Sequence, residues 1–392
     1  MKKDSVIYLT GSGIPDARPL KPYSDEACSF LAALSDLLSR HRNPPDVATL
    51  AFFCRRANIA RLKSDFSSPD VRLGRGTVFH IAPSNIPINF AFSLVFGLLS
   101  GNSNVVRVPS KAWPQVDIVC GAINSLLERP EFSEFAHRIA MVRYERDDDV
   151  TRFFSERCDA RIVWGGDETV RRIRSIPIPP RAVEVSFADR YSFCVISEES
   201  VMKLDNVAVA RLANNFYNDT YLVDQNACSS PSLIMWLTGP RRAPGARERF
   251  WSAVWLRACE YDLAPIHAVD KYTELCCCLS RVDDVESVVR HGNLIYRLKL
   301  ASLNGVEGLC GKFGFFFEYE SDNIDVIASH VTSKWQTLTY FGVEKPEISR
   351  FVADNFLRGI DRIVPVGSAL DISVMWDGFD IVRTLSRIVE IK

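Results

Sequence analysis

Two stretches carry residues able to make and break an acyl bond. Cys228 lies in Gln225-Asn226-Ala227-Cys228-Ser229-Ser230-Pro231. A structural cysteine usually sits in an apolar run, whereas small polar residues flank this one, so a loop is expected. Small neighbours let a carbonyl approach the sulfur, and nearby N–H groups can favour the thiolate and hold an oxyanion. Asn85 closes the run Ala82-Pro83-Ser84-Asn85. Its neutral side-chain amide can donate to that oxyanion, although an Asx-turn or a helix cap is an equal use for it. Gly165-Gly166 opens a helix whose free N–H groups can receive a pyrophosphate. The lone His80 reads as a structural residue on a strand, with direct catalysis as the alternative.

The elements that must position these residues centre on 78–111, VFHIAPSNIPINFAFSLVFGLLSGNSNVVRVPSK. Val78–Ile81 is a short β-type run ended by the APSN loop. Ile86–Leu99 is a mostly apolar run stopped by Ser100-Gly101-Asn102, and Asn104–Val108 is a second strand. The apolar run is too short and too interrupted to span a bilayer and suits a helix packed on a sheet. A βαβ unit of this kind puts its loops at one edge of a parallel sheet, where ligands bind.

Residues 1 to about 23 read as irregular. Ser24 caps a helix, and Asp46 caps a second helix running to about Lys63. Further helices are expected at Pro114–Glu128, Asp147–Glu156, from Glu168 to Arg174, at Val207–Tyr217 and at Phe250–Glu260. Strands are expected at Ile139–Val142, Arg161–Trp164, Ala182–Val185, Phe193–Ile196, Leu233–Leu237, Ile295–Leu298 and Phe315–Tyr319. Arg241–Arg249 is a charged loop, and the tail ends in a helix from about Asp380. Strands alternating with helices specify a parallel α/β sheet covered on both faces. No GxGxxG fingerprint occurs.

Lys+Arg number 47 against 48 Asp+Glu, so no strong field invites nucleic acid or anionic lipid. Arg171, Arg172 and Arg174 form a local basic cluster, read as a solvated helix face with phosphate binding as the alternative. The N-terminal MKKDSVIYLTGSG lacks the apolar core of a signal peptide. The eleven cysteines include no CxxC pair, so neither zinc spacing nor a disulfide framework is present. Reduced thiols in the cytoplasm are expected, ten of them as small buried hydrophobes.

Taken in order, FHIAPSNIPINF, GLLSGNSNVVRVPS, VWGGDE, QNACSSP, QTLTYFG and GIDRIVPVG with WDG form a pattern. It resembles the LuxC-like acyl-CoA reductases, the fatty acid reductase subunits of bacterial bioluminescence and their relatives, within the aldehyde dehydrogenase superfamily. The resemblance runs from about Thr77 to Val389. It implies an aldehyde dehydrogenase-like α/β fold in three parts: a helical covering segment (1–70), a parallel-sheet cofactor-binding domain (71–198, completed by 365–392) and an α/β catalytic domain (199–364).

The same resemblance implies Cys228 as nucleophile, Asn85 as oxyanion donor and Glu184, in AVEVSF, as the match to the superfamily's general base. The glycines that normally follow that base are Ser186 and Phe187 here. Arg107, Pro109, Ser110 and Lys111 are implied along the adenosine side of the cofactor, with Val163, Trp164, Gly165 and Gly166 under its pyrophosphate. The superfamily's lysine before Pro-Ser is Val108, and its following glutamate is Lys111. An acid there would bind free ribose hydroxyls, whereas Lys111 and Arg107 suit a 2′-phosphate, so NADPH is expected. Trp376-Asp377-Gly378 reads as a turn completing the fold, with a substrate or subunit contact as the alternative.

The implied reaction is reduction of an acyl thioester, from acyl-CoA or a partner synthetase, to a long-chain aldehyde through an acyl-cysteine. Oxidation or CoA-acylation of an aldehyde by the same site, and a non-reducing acyl-transfer scaffold, are the rivals. A homo-oligomer without metal, membrane span or nucleic acid completes the expectation.

Overall fold

The computed structural model describes residues 6–40, 42–68, 70–239 and 243–392. Lys2, Lys3 and Arg241 lie outside the described residues. The chain forms two compact units, 1–188 with 373–392 and 189–372.

In the first unit β1 (Ile7–Thr10) precedes three helices, α1 (Asp25–Ser39), α2 (Pro45–Cys54) and α3 (Arg56–Asp65). Then come β2 (Val71–Gly74), β3 (Thr77–Ile81), α4 (Asn89–Leu99), β4 (Ser103–Arg107), α5 (Pro114–Leu127) and β5 (Ile139–Arg143). The stretch closes with α6 (Asp148–Ser155), β6 (Ala160–Trp164), α7 (Asp167–Arg174) and β7 (Val183–Phe187). A six-stranded sheet results, in the order β1-β5-β4-β3-β6-β7. Its strands are parallel except β1, which runs antiparallel to β5. All eleven residues of α4 are buried, as befits a helix apolar on every face.

Within the second unit lie β8 (Tyr191–Ser197), α8 (Glu198–Met202), α9 (Asn206–Thr220), β9 (Leu233–Leu237), α10 (Ala246–Ala258) and α11 (Pro265–Arg281). They are followed by β10 (Val285–His291), β11 (Ile295–Leu300), β12 (Phe315–Ser321), β13 (Trp335–Phe341), α12 (Lys345–Asp354) and β14 (Arg362–Pro365). The sheet order is β10-β11-β12-β9-β8-β13-β14, parallel except at β10. Along β8 the side chains alternate between two cores. Phe193 and Val195 join one and Cys194 and Ile196 the other, so both faces of the sheet are covered.

The chain then returns to the first unit as β15 (Met375–Trp376), β16 (Phe379–Asp380), α13 (Ile381–Thr384) and β17 (Ser386–Val389). Asp377 and Gly378 both have positive φ, 48° and 76°, which makes the two-residue turn joining β15 to β16.

Several expectations change. Residues before 23 are not all irregular, because β1 adds an edge to the sheet. The second helix breaks at Arg55, whose ψ of 144° is extended. Pro44 rather than Asp46 caps it, with Pro45 at the first helical position. The first turn of the apolar run is spent on a Pro87-Ile88 turn, so α4 starts at Asn89. The tail ends as a strand, since β17 pairs antiparallel with β2. β8 was expected with the cofactor-binding domain but pairs with β9 and β13 of the second unit. Only five cysteines are buried, and Cys259, Cys276 and Cys310 are exposed.

Candidate active site

Cys228 lies on the loop leading into β9, at the N-terminal edge of the second unit's parallel strands, and is half-buried. Its backbone is held on every side. Ser230 N–H donates to Ala227 O at 3.0 Å, closing a turn with Cys228 inside it. Ser192 Oγ, at the start of β8, donates to Cys228 O at 2.6 Å and accepts from Thr337 N–H at 3.1 Å. Ser230 Oγ donates to Asp219 O at 2.7 Å. The buried Gln225 side chain donates to Pro231 O and Phe315 O at 3.1 and 3.0 Å. It also accepts from Gly314 and Phe315 N–H at 3.1 and 3.2 Å, holding the start of β12 just ahead of its pairing with β9. Asp224 and Gln225 pass through the left-handed region, with φ of 54° and 57°. That strain is sustained because the amide clamp over-determines it.

In the first unit the chain moves from β3 to β4 and β5 on one side, then returns to β6 and β7 on the other. The switch point therefore falls between the carboxyl ends of β3 and β6, where open α/β sheets take their ligands. The loop after β3 carries Asn85, which is exposed, and the loop after β6 carries Gly165 and Gly166. Gly165 N–H is used by Phe187 O at 3.1 Å, and Gly166 is the N-cap of α7 without a side-chain cap. Asp167 and Glu168 occupy the first turn of that helix, so its N-terminus already has negative company. Trp164 stacks on Phe187 at 3.9 Å and meets Trp376 edge-on at 5.3 Å, which makes Trp376-Asp377-Gly378 a packing turn.

His80 is fully buried within a one-way hydrogen-bond chain. Trp164 Nε1 donates to Ser93 Oγ at 3.0 Å, and Ser93 Oγ lies 2.7 Å from His80 Nδ1. His80 Nε2 lies 3.0 Å from Asn104 Oδ1, and Asn104 Nδ2 donates to Asn102 O at 2.9 Å. The amide oxygen of Asn104 fixes the tautomer with the proton on Nε2. Burial pushes the imidazole down to about 4, only partly offset by Asn104, so the ring is neutral. Its role is to wire β3, β4, α4 and the Trp164 loop together.

Of the residues expected along the adenosine, Pro109 is buried, Ser110 is half-buried and Lys111 is exposed, its Nζ 3.9 Å from the Trp113 ring centroid. Arg107 donates to Tyr144 O and Glu145 O at 3.3 and 3.4 Å, with its guanidinium 4.5 Å from the Tyr144 ring centroid. Burial works against its charge, Tyr144 and Glu145 support it, and Arg172 and Arg146 oppose it. Arg107 closes β4 and Arg146 follows β5, while Arg172 of α7 is within electrostatic reach of Arg107 and pairs with Asp148 at 3.4 Å. Sequence reasoning missed Arg146 and Tyr144, whose only signal was their position just beyond a strand.

The profile of the acyl-CoA reductase (LuxC) family matches residues 18–244, more than half of the chain. The chain belongs to the acyl-CoA reductase family. No curated protein matches it. Among solved structures, the NAD-dependent benzaldehyde dehydrogenase of Corynebacterium glutamicum is similar at 13% identity and TM-score 0.62, over 94% of this chain and 85% of that one. A mutant of Thermus thermophilus 1-pyrroline-5-carboxylate dehydrogenase gives 13%, 0.62, 94% and 82% in the same order. The aldehyde dehydrogenase KauB of Pseudomonas aeruginosa gives 12%, 0.63, 90% and 78%. The fold is that of the aldehyde dehydrogenases, and the reductase is an oxidoreductase of acyl or aldehyde chemistry. Among its described residues no helix is long and apolar enough to cross a membrane.

Glu184 of the reductase sits on β7 opposite Arg161 of β6. Arg161, itself buried, pairs with one carboxylate oxygen, and Arg174 Nε reaches the other at 3.1 Å. Arg161 also donates to Ser155 Oγ and Ile176 O at 3.0 and 2.9 Å. Both oxygens of the carboxylate expected as the base are therefore committed to guanidinium groups.

Proposed function

We propose that this chain reduces an acyl thioester to an aldehyde with NADPH through an acyl-cysteine at Cys228. The observation that carries the reading is the Cys228 turn. It presents a half-exposed thiol among small residues on a backbone pinned by Ser192, Ser230 and Gln225. In the reaction the sulfur attacks the thioester carbonyl, and a backbone N–H of the turn holds the oxyanion. Collapse then expels the thiol of CoA or of an acyl-carrying synthetase. When bound, NADPH would supply a hydride to the acyl carbonyl, and cleavage of its bond to the sulfur returns Cys228 to the thiolate and releases the aldehyde.

The first unit is the cofactor-binding domain in this reading. The switch point between β3 and β6, the uncapped Gly166 turn and the cations Arg107, Arg146, Arg172 and Lys111 fit a dinucleotide with an extra phosphate. The acidic first turn of α7, Asp167 and Glu168, is the feature of this unit that does not favour a phosphate. Reduction rather than hydrolytic oxidation is supported by Glu184. Releasing an acyl group as acid needs a base to activate water, and the matching carboxylate is ion-paired instead. The acyl chain is proposed to be long, the compartment cytoplasmic and the protein a homo-oligomer.

Mixing the protein with acyl-CoA and NADPH should consume NADPH and yield aldehyde. Cys228→Ala should still bind NADPH and lose both acylation and reduction. Aldehyde formation by that variant would remove Cys228 from the reaction. An acyl-cysteine that forms without NADPH consumption would make the chain an acyl-transfer scaffold.

A further inference from the structure

The order of the second sheet brings the starts of β8, β13 and β14 side by side. Thr337 of β13 is the register partner of Arg362 of β14. The same Thr337 donates to Ser192 Oγ, which donates to Cys228 O, so Arg362 stands three links from the backbone of the candidate nucleophile. Its guanidinium is half-buried and gripped by three backbone carbonyls, Ala369 at 2.8 Å, Ser368 at 2.9 Å and Asp371 at 2.7 Å. Those dipoles satisfy its N–H groups without cancelling its charge. Among the described residues Arg362 makes no ion pair.

The gripping loop is itself fixed by the Cys228 turn's own anchor. Asp219 accepts from Gly367 N–H at 2.6 Å and Ala369 N–H at 2.9 Å, while its backbone carbonyl accepts from Ser230 Oγ at 2.7 Å. One residue of α9 therefore registers the cation loop against the cysteine turn.

Electrostatics agree with the geometry. Burial works against the charge of Arg362, and Asp371, Asp219 and the Cys228 thiolate support it in that order. The support is reciprocal by linkage. Charged groups nearby include Asp224 on the cysteine loop, which accepts from Tyr261 OH, and the Arg190–Asp361 pair. Asp219 is pushed up to about 6 by burial against two opposing N–H bonds, so it is ionised at neutral pH and partly offsets the guanidinium.

We propose that Arg362 is a positioning residue, the counter-charge of the Cys228 thiolate, kept in place by Asp219 through the 366–371 loop. The proposal rests on Cys228 being the nucleophile. The chemistry is ordinary: a half-buried guanidinium held by carbonyl dipoles, and only partly offset by Asp371 and Asp219, favours a thiolate on the neighbouring turn.

The test is the rate of iodoacetamide alkylation at Cys228, read from the peptide mass spectrum between pH 5 and 10. In the intact chain the midpoint should lie below the ordinary thiol value of about 8.5. Arg362→Gln should raise it by about one unit, slowing alkylation at pH 7 roughly tenfold, and Arg362→Lys should restore most of the difference. A purely structural arginine would change stability without moving the midpoint. A folded Arg362→Gln protein with an unmoved midpoint overturns the proposal. So does an unmodified chain whose Cys228 titrates at 8.5 or above, a result that needs no variant to fold. Acylation by acyl-CoA is scored separately from intact mass. A low midpoint without acyl-cysteine sinks the proposed function, whereas acyl-cysteine with an unmoved midpoint in Arg362→Gln sinks only the counter-charge.

Discussion

Glu184 shows what a single residue's surroundings do to a motif match. A carboxylate in a short acidic motif ahead of a catalytic cysteine suggests a base, yet both its oxygens meet guanidinium groups, one of them buried. Breaking such a pair from the arginine side strands a charge and typically costs about 3–5 kcal/mol. Neutralising the carboxylate is milder, because an amide still accepts from Arg161. Glu184→Gln should therefore leave kcat for NADPH-dependent reduction within a few-fold while lowering the melting temperature. Loss of about a hundredfold in kcat with an unchanged fold would return the base to this residue. Gly97 makes the same point for space. A Cβ there would lie 1.8 Å from Asn104 Oδ1 and 3.0 Å from His80 Nε2, so the helix must leave a gap for the hydrogen-bond chain beneath it.

At the scale of elements, that chain joins β3, β4, α4 and the loop after β6 through groups that never reach solvent. His80 takes up a proton near 6.5 in the unfolded chain and only near 4 in the folded one. Between those values the unfolded state binds more protons, so the network's contribution is complete above 6.5 and is lost as pH falls through 4. A shift of this size is worth about 3 kcal/mol. Urea unfolding of the intact chain should accordingly lose about 3 kcal/mol more between pH 6.5 and 4 than unfolding of His80→Gln. Parallel curves would show that the ring is protonated inside the fold. Much of this layer was legible in the sequence. The strand-loop-helix-strand run at 78–111, the polar setting of Cys228 and the Gly165-Gly166 turn all follow from periodicity and turn chemistry. Less visible were features decided by distant partners. β17 is a strand because β2 is there to pair with it, and β8 belongs with β9 and β13 although it follows β7 by three residues. Arg362 stands in the sequence only as part of GIDRIVPVG, and only the fold shows that its neighbour Thr337 leads to Cys228.

For the whole molecule, each of the two units has its own sheet, and a chain of more than one unit is expected to unfold in more than one transition. Ligand binding then reports on the unit that binds. NADPH at a hundred times its dissociation constant stabilises its own unit by about 2.7 kcal/mol, which for a unit of roughly two hundred residues is on the order of 5 °C or more. In the proposed assignment that shift belongs to the transition of the first unit, which carries Arg107, Arg146, Arg172 and Lys111. NADH at equal concentration lacks the phosphate these cations would meet and should shift the transition less. Lys111→Glu should narrow or reverse the preference, because an acid there favours free ribose hydroxyls. Among the described residues the exposed Lys111 makes only a ring contact, so the substitution should leave the unliganded transition in place. Equal shifts from the two cofactors would mean that the cations serve only the fold. A shift confined to the second unit would move the cofactor site away from the β3–β6 switch point altogether.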